Sequence, residues 1–117
     1  MKVLLLNLPA KEQITRRYMC SYGAPNSLLP PLELISCAAV AREWNNAEVQ
    51  LIDSVAEKID IEKVLNRISV FNPDVILSIT GFECFEQDIF CVQKIKRYFP
   101  ETKFIFFGHF ATQFPLE

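Results

Sequence analysis

Glycine, histidine and any excess of basic charge are scarce in this chain. Its 117 residues include three glycines and one histidine, and 12 basic residues stand against 14 acidic ones for a net charge of -2. That balance supplies no field for a phosphate backbone or an anionic lipid, so binding to nucleic acid and to a membrane surface is set aside. Long apolar runs are also missing. The run Val3 to Leu6 cannot span a bilayer, and polar Asn7 and Pro9 follow too soon for a secretory leader. The four cysteines at positions 20, 37, 84 and 91 match no zinc or iron–sulfur spacing, and no Cys-x-x-Cys occurs. With His109 as the single histidine, no metal ligand set is expected, and the thiols read as packing groups of a reduced, cytoplasmic protein.

What is present is enough for a core. Half of the residues are hydrophobic and 22% are charged, which suits one folded domain over residues 1–117. Lys2–Asn7 is a short continuous apolar run, as in a strand covered on both faces. The segments 48–53, 74–80 and 103–108 repeat that pattern. Between them the spacing becomes helical. Leu32, Ile35, Ala39 and Arg42 share one face of Pro31–Asn45, with Pro31 suited to the first turn and Glu33 to its positive end. Ile61, Val64, Leu65, Ile68 and Phe71 form a stripe, with Asp60 as N-cap and Asn72-Pro73 as the stop. Phe85, Ile89, Val92, Ile95 and Phe99 form a third, ended by Pro100.

Strand and helix alternating three times, followed by a fourth strand, predict an α/β fold with a parallel sheet. Right-handed crossovers give a doubly wound, Rossmann-like sheet of order 2-1-3-4 in three α/β/α layers. The end at Glu117, with no closing helix or fifth strand, predicts a domain truncated before strand five. It would leave Phe104, Phe106 and Phe107 on a poorly covered edge. Residues 8–30 form a loop of a length usually associated with function.

Ligands of such sheets bind beyond the carboxyl ends of the strands, where the strand order reverses. The long loop leaves strand one beside that point. Gly23, Gly81 and Gly108 fall on the same edge, as do Tyr18, Tyr22, Phe82, Phe85, Phe110 and Phe114. The usual occupants fail by their requirements. After strand one the chain reads Asn7-Leu-Pro-Ala-Lys-Glu-Gln13, with no glycine loop for a pyrophosphate or FMN phosphate. Asp53 then reads as a cap or turn residue. A phospho-receiver would want acids where Asn7 and Thr80 stand. Cys84 or Ser78 as a nucleophile would need a base that a lone histidine on another strand hardly provides. No catalytic residue is assigned, and the chain is not expected to be catalytic alone. What remains is a ligand held by shape, backbone and aromatic walls, or the face of another domain.

The succession Lys2-Val-Leu-Leu-Leu-Asn7-Leu-Pro9, Arg17-Tyr18, Gly23-Ala-Pro25 and Pro30-Pro31-Leu-Glu-Leu resembles the N-terminal domain of cobalamin-binding radical SAM proteins. The similarity continues through Ala38-Ala-Val-Ala-Arg-Glu43, residues 48–53, Asn72-Pro-Asp-Val-Ile76 and Thr80-Gly81. It ends with Gly108-His-Phe-Ala-Thr112 and Pro115. That family includes methyltransferases, oxidative cyclases of the Mg-protoporphyrin monomethyl ester type and Fe–S oxidoreductases.

The resemblance implies a flavodoxin-like, B12-binding module ahead of a radical SAM barrel in the same polypeptide. It places the corrin at Asn7, Pro9, Tyr18, Gly23, Pro25, Thr80, Gly81, Phe82, Gly108, His109 and Thr112. The 4Fe–4S cluster and S-adenosylmethionine would belong to the downstream domain, whose Cys-x-x-x-Cys-x-x-Cys motif this chain lacks. No Asp-x-His-x-x-Gly motif follows strand one, so the expectation is base-off cobalamin without a histidine on cobalt, serving methyl transfer or redox. Phe107 stands where the family has a glycine and Phe110 where it has a histidine. Both add bulk. The alternative is an interaction domain of the same fold that packs on the barrel and holds no cofactor.

Overall fold

The computed structural model describes residues 1–17, 21–23 and 28–114. Its main sheet has four parallel strands: β1 (Lys2–Asn7), β4 (Glu48–Asp53), β5 (Val75–Ile79) and β6 (Lys103–Phe107), in the order β4-β1-β5-β6. Strand β1 is central. Leu5 pairs with Leu51 of β4 on one side and Leu77 of β5 on the other, so Val3 to Leu6 are buried from both faces. That is why the run is uninterrupted rather than alternating.

The order 2-1-3-4 expected from the sequence counts four strands, whereas the described residues hold six. Residues 8–30 are not one open loop. They carry an antiparallel hairpin, β2 (Ile14–Arg16) and β3 (Ser21–Gly23), with Ile14 opposite Gly23 and Arg16 opposite Ser21. Three-residue strands are too short to show an alternating pattern. The expected absence of a closing helix is likewise corrected, because a short helix, α5 (His109–Gln113), follows β6.

One face of the sheet is covered by α3 (Ile61–Phe71) and α4 (Phe85–Tyr98). There Leu4, Leu6 and Ile76 meet Val64, Leu65, Ile68 and Ile95. The stripe predicted for α3 is the buried one, and Asp60 caps the helix by accepting from the Lys63 N–H at 3.0 Å. At its end Asn72 takes the left-handed conformation that stops a helix before Pro73. In α4 the buried line is Cys84, Asp88, Cys91 and Ile95, displaced from the predicted Phe85-Ile89-Val92 stripe by a charged residue that turns inward.

Helix α1 (Leu32–Asn45) covers the other face, through Leu34, Cys37, Ala38 and Ala41 against Val3, Leu5 and Ile79. The predicted face is the wrong one. Leu32 and Ile35 are 49% and 44% exposed, and Ala39 and Arg42 are also exposed. Both sides of α1 are apolar, so spacing alone offers two solutions. Smaller side chains occupy the inner one, where the helix approaches the sheet closely. Pro31 is the N-cap rather than a first-turn residue. Because α1 is the only long helix on this side among the described residues, Ile105 of the edge strand β6 stays 46% exposed, while Phe104, Phe106 and Phe107 are partly covered by the two cores.

The two faces of α1 are separable by mutation. Leu34→Ala is expected to cost about 2–5 kcal/mol, and Ile35→Ala under about 0.5 kcal/mol. Urea midpoints at unchanged m-value report both, and equal losses would refute the assignment.

Candidate functional site at the carboxyl edge of the sheet

The strand order reverses between β1 and β5, since the chain leaves β1 toward β4 and leaves β5 toward β6. The carboxyl ends flanking this point are Asn7-Leu8 and Thr80-Gly81. All four residues are buried. What fills the crevice was not foreseen. Arg16, carried on β2, drives its guanidinium between the strand ends and is 2% exposed as a residue. Its Nη1 donates to Asn7 Oδ1 at 2.9 Å and to the Leu8 carbonyl at 2.8 Å. Its Nε and Nη2 donate to the two carboxylate oxygens of Asp88, at 3.1 and 2.6 Å. Thr80 Oγ1 donates to Asp88 Oδ2 at 2.8 Å, and Asn7 Nδ2 donates to Asp53 Oδ1 at 2.8 Å.

Five side chains thus form one connected line from the end of β4 to the end of β5. Asp53 has the capping role read from the sequence, since its Oδ1 also accepts the Ala56 N–H and starts a single turn of helix, α2 (Ser54–Glu57). Burial on its own disfavours the Arg16 cation, but the Asp88 carboxylate overrides it and the net direction of its pKa is upward. The pair is bidentate and charge-assisted, the geometry in which a buried ion pair offsets its desolvation.

The predicted residues divide around this line. Asn7 and Thr80 are part of it. Gly81 follows, opening a 3₁₀ turn (Phe82–Cys84) against which β3 packs. Gly23 ends β3. Gly108 ends β6 with φ 115°, a conformation only glycine adopts at low cost, and it starts α5, which brings half-buried His109 and exposed Thr112 to the same edge. Phe82 is 76% exposed. Pro9 goes elsewhere, lining a cleft on the β4 side. Tyr18 and Pro25 lie outside the described residues.

Beside the glycines, four rings pack on one another. Phe110 meets Phe85 at 4.6 Å between centroids, Phe114 at 5.2 Å and Phe82 at 5.8 Å. The bulk expected from Phe110 is therefore spent partly on packing α5 against α4. Ser78 is wholly buried in β5 with an unpartnered hydroxyl, and Cys84 stands beside Arg16 and Asp88, so neither is paired with His109 as a nucleophile would be. Among the described residues no group of three or more His, Cys, Asp or Glu is placed to hold a metal ion, and no helix is long and apolar enough to cross a membrane.

Arg16 and Asp88 were missed because charged residues read as solvated. The available signal was Asp88 on the line 84-88-91-95, where its neighbours three and four residues away are two cysteines and, further on, Ile95. Compared with protein-family models, curated proteins and solved structures, the chain matches none.

Two expectations follow. Arg16→Met leaves Asp88 buried and uncompensated and should cost about 3–5 kcal/mol, as should Asp88→Leu. Arg16→Met with Asp88→Leu should cost clearly less than the sum. Additive denaturation free energies would show the pair to be uncoupled. Burial pushes the thiols of Cys84 and Cys91 upward, with Asp88 adding to the effect. A group whose pKa is raised on folding holds its proton better in the native state. Its contribution is therefore complete below the unfolded thiol value of about 8.5 and is lost as pH rises beyond it. Urea midpoints should fall from about pH 8.5 upward, and less steeply in Cys91→Ala. Identical slopes in the two proteins would remove the thiols as the cause.

Proposed function

We propose that this chain is the cobalamin-binding module of a radical SAM enzyme. It would hold the cofactor base-off across the carboxyl edge of a flavodoxin-like, doubly wound sheet, in the cytoplasm. The reading rests on the sequence resemblance above and on one observation: Gly81, Phe82, Gly108 and Thr112 lie together on that edge, flanked by the β2–β3 hairpin. Glycine backbone permits close approach of a large flat ring, exposed Phe82 offers it an apolar wall, and Thr112 offers a hydroxyl at the rim.

The polar line adds one constraint. The Arg16 guanidinium holds the end of β1 and, through Asp88, is tied to Thr80 after β5, so these buried groups are spent on one another and not on the ligand. The corrin would rest on top of the edge, over Gly81 and Gly108, and a partner surface would cover its other side. In this reading the partner is the radical SAM barrel of a longer polypeptide, which supplies the 4Fe–4S cluster and S-adenosylmethionine. Cobalamin supplies methyl transfer or electron transfer, while this chain binds and orients.

A second reading is favoured by the ring cluster. Phe82 and Phe114 are 76% and 59% exposed, and such a pair on an otherwise packed aromatic corner suits an interaction domain that meets the barrel directly without a cofactor.

Titration with hydroxocobalamin separates the two. The cofactor reading expects cobalamin retained through desalting with a base-off visible spectrum, weakened about tenfold by Phe82→Ala. No retention and no spectral change would leave the interaction reading.

A further inference from the structure

A cleft of about 610 Å³ lies apart from the crevice, on the β4 side of the same edge. Its walls come from three places: the turn after β1, the α2–α3 connection and the exposed flank of α4. The volume falls within the range of small-molecule sites. Its interior is apolar, formed by Val55, Ile59, Ile61 and Cys91. One ring borders it without being consumed by packing, since Phe90 of α4 is 64% exposed. Ser54, 1% exposed, also lines the cleft, and its hydroxyl oxygen is buried with no hydrogen-bond partner among the described residues. A buried hydroxyl in that state carries an uncompensated desolvation cost, which a ligand group reaching it would relieve.

The charges at the rim select the ligand. Lys11 and Lys58 border the cleft from opposite loops, and neither has an ion-pair partner among the described residues. Lys58 is held in the left-handed conformation (φ 52°), its N–H donating to the carbonyls of Ser54 and Val55, so its position at the rim is fixed by the backbone. Two acids stand there as well. Asp60 is engaged, because its carboxylate caps α3. Asp60 keeps its negative charge, but that charge faces the positive N-terminus of α3, so Glu12 is the acid left to oppose the two lysines.

We infer that this cleft is a second binding site, for a small organic anion with a planar ring. The ring lies in the apolar interior against Phe90, and the anionic group lies between Lys11 and Lys58. The site shares only Pro9 with the residues assigned to the proposed cobalamin edge, and it stands or falls independently of that reading.

Indole-3-propionate and tryptamine carry one ring with opposite charges and serve as the probes. In ¹H–¹⁵N NMR titrations of the full chain, indole-3-propionate should give saturable shifts confined to residues 9–13, 54–61 and 87–91. Tryptamine should bind at least about threefold more weakly. Phe90→Ala should weaken indole-3-propionate about tenfold and Lys58→Gln about threefold. Both positions are exposed, and the spectrum itself reports that the fold is kept. Tryptamine binding as tightly as indole-3-propionate overturns the proposal. So does unchanged affinity in Phe90→Ala, or shifts centred on residues 81–84 and 108–114.

Discussion

The ion pair between Arg16 and Asp88 constrains more of this molecule than any other single contact. It joins residues 72 apart in sequence, one on a three-residue strand and one on a long helix, with side chains 1% and 0% exposed. A strand as short as β2 has little hydrophobic surface with which to anchor itself. The guanidinium does that work through its planar fork, which serves the end of β1 and the Asp88 carboxylate at once, and Asp88 in turn ties to Thr80 after β5. Lysine offers a point charge in place of that fork. The hairpin is therefore held over the sheet by electrostatics, whereas the remainder of the fold is held by apolar packing.

The second constraint is the unequal cover of the two faces. Among the described residues two long helices bury one side of the sheet, and α1 alone serves the other. The outward face of α1 presents Leu32, Ile35 and Val40, and the sheet beside it ends in exposed Ile105. At the carboxyl edge the aromatic corner compensates in part. Phe85, Phe106 and Phe110 lock α5 to α4 and β6, which gives Gly108 a firm frame on which to turn. The edge proposed to carry a ligand is thus rigid on the β6 side through ring packing, and on the β1 side through the polar line.

Much of this was legible from the residues. The apolar run of Lys2–Asn7 announces a strand covered on both faces because no polar position interrupts Val3 to Leu6. The α3 stripe is unambiguous because charged or polar residues fill every other position around the helix except exposed Val70. Asn7, Thr80, Gly81 and Gly108 are placed by topology, since the end of a parallel strand is fixed once the strand is. The rest failed for identifiable reasons. Helix α1 carries apolar side chains all round, so periodicity cannot choose a face, and the decision rests on how closely small Cys37, Ala38 and Ala41 let it approach β1. The crevice depends on a pairing across 72 residues that no local pattern encodes. The cleft beside β4 requires two loops and the flank of a helix to meet, and each is unremarkable in its own stretch of sequence.

The position of β1 has a consequence for how the protein is made. The central strand is synthesised before both of its neighbours, which come much later, β4 beginning at Glu48 and β5 at Val75. At cellular elongation rates of roughly 5–20 residues per second, the apolar segment Val3–Leu6 waits about two to eight seconds for its first partner and longer for its second. Through that interval it is an unpaired hydrophobic segment of a growing chain. That places the burden of early folding on whatever shields nascent chains, and makes residues 3–6 a stretch for a holding chaperone to cover.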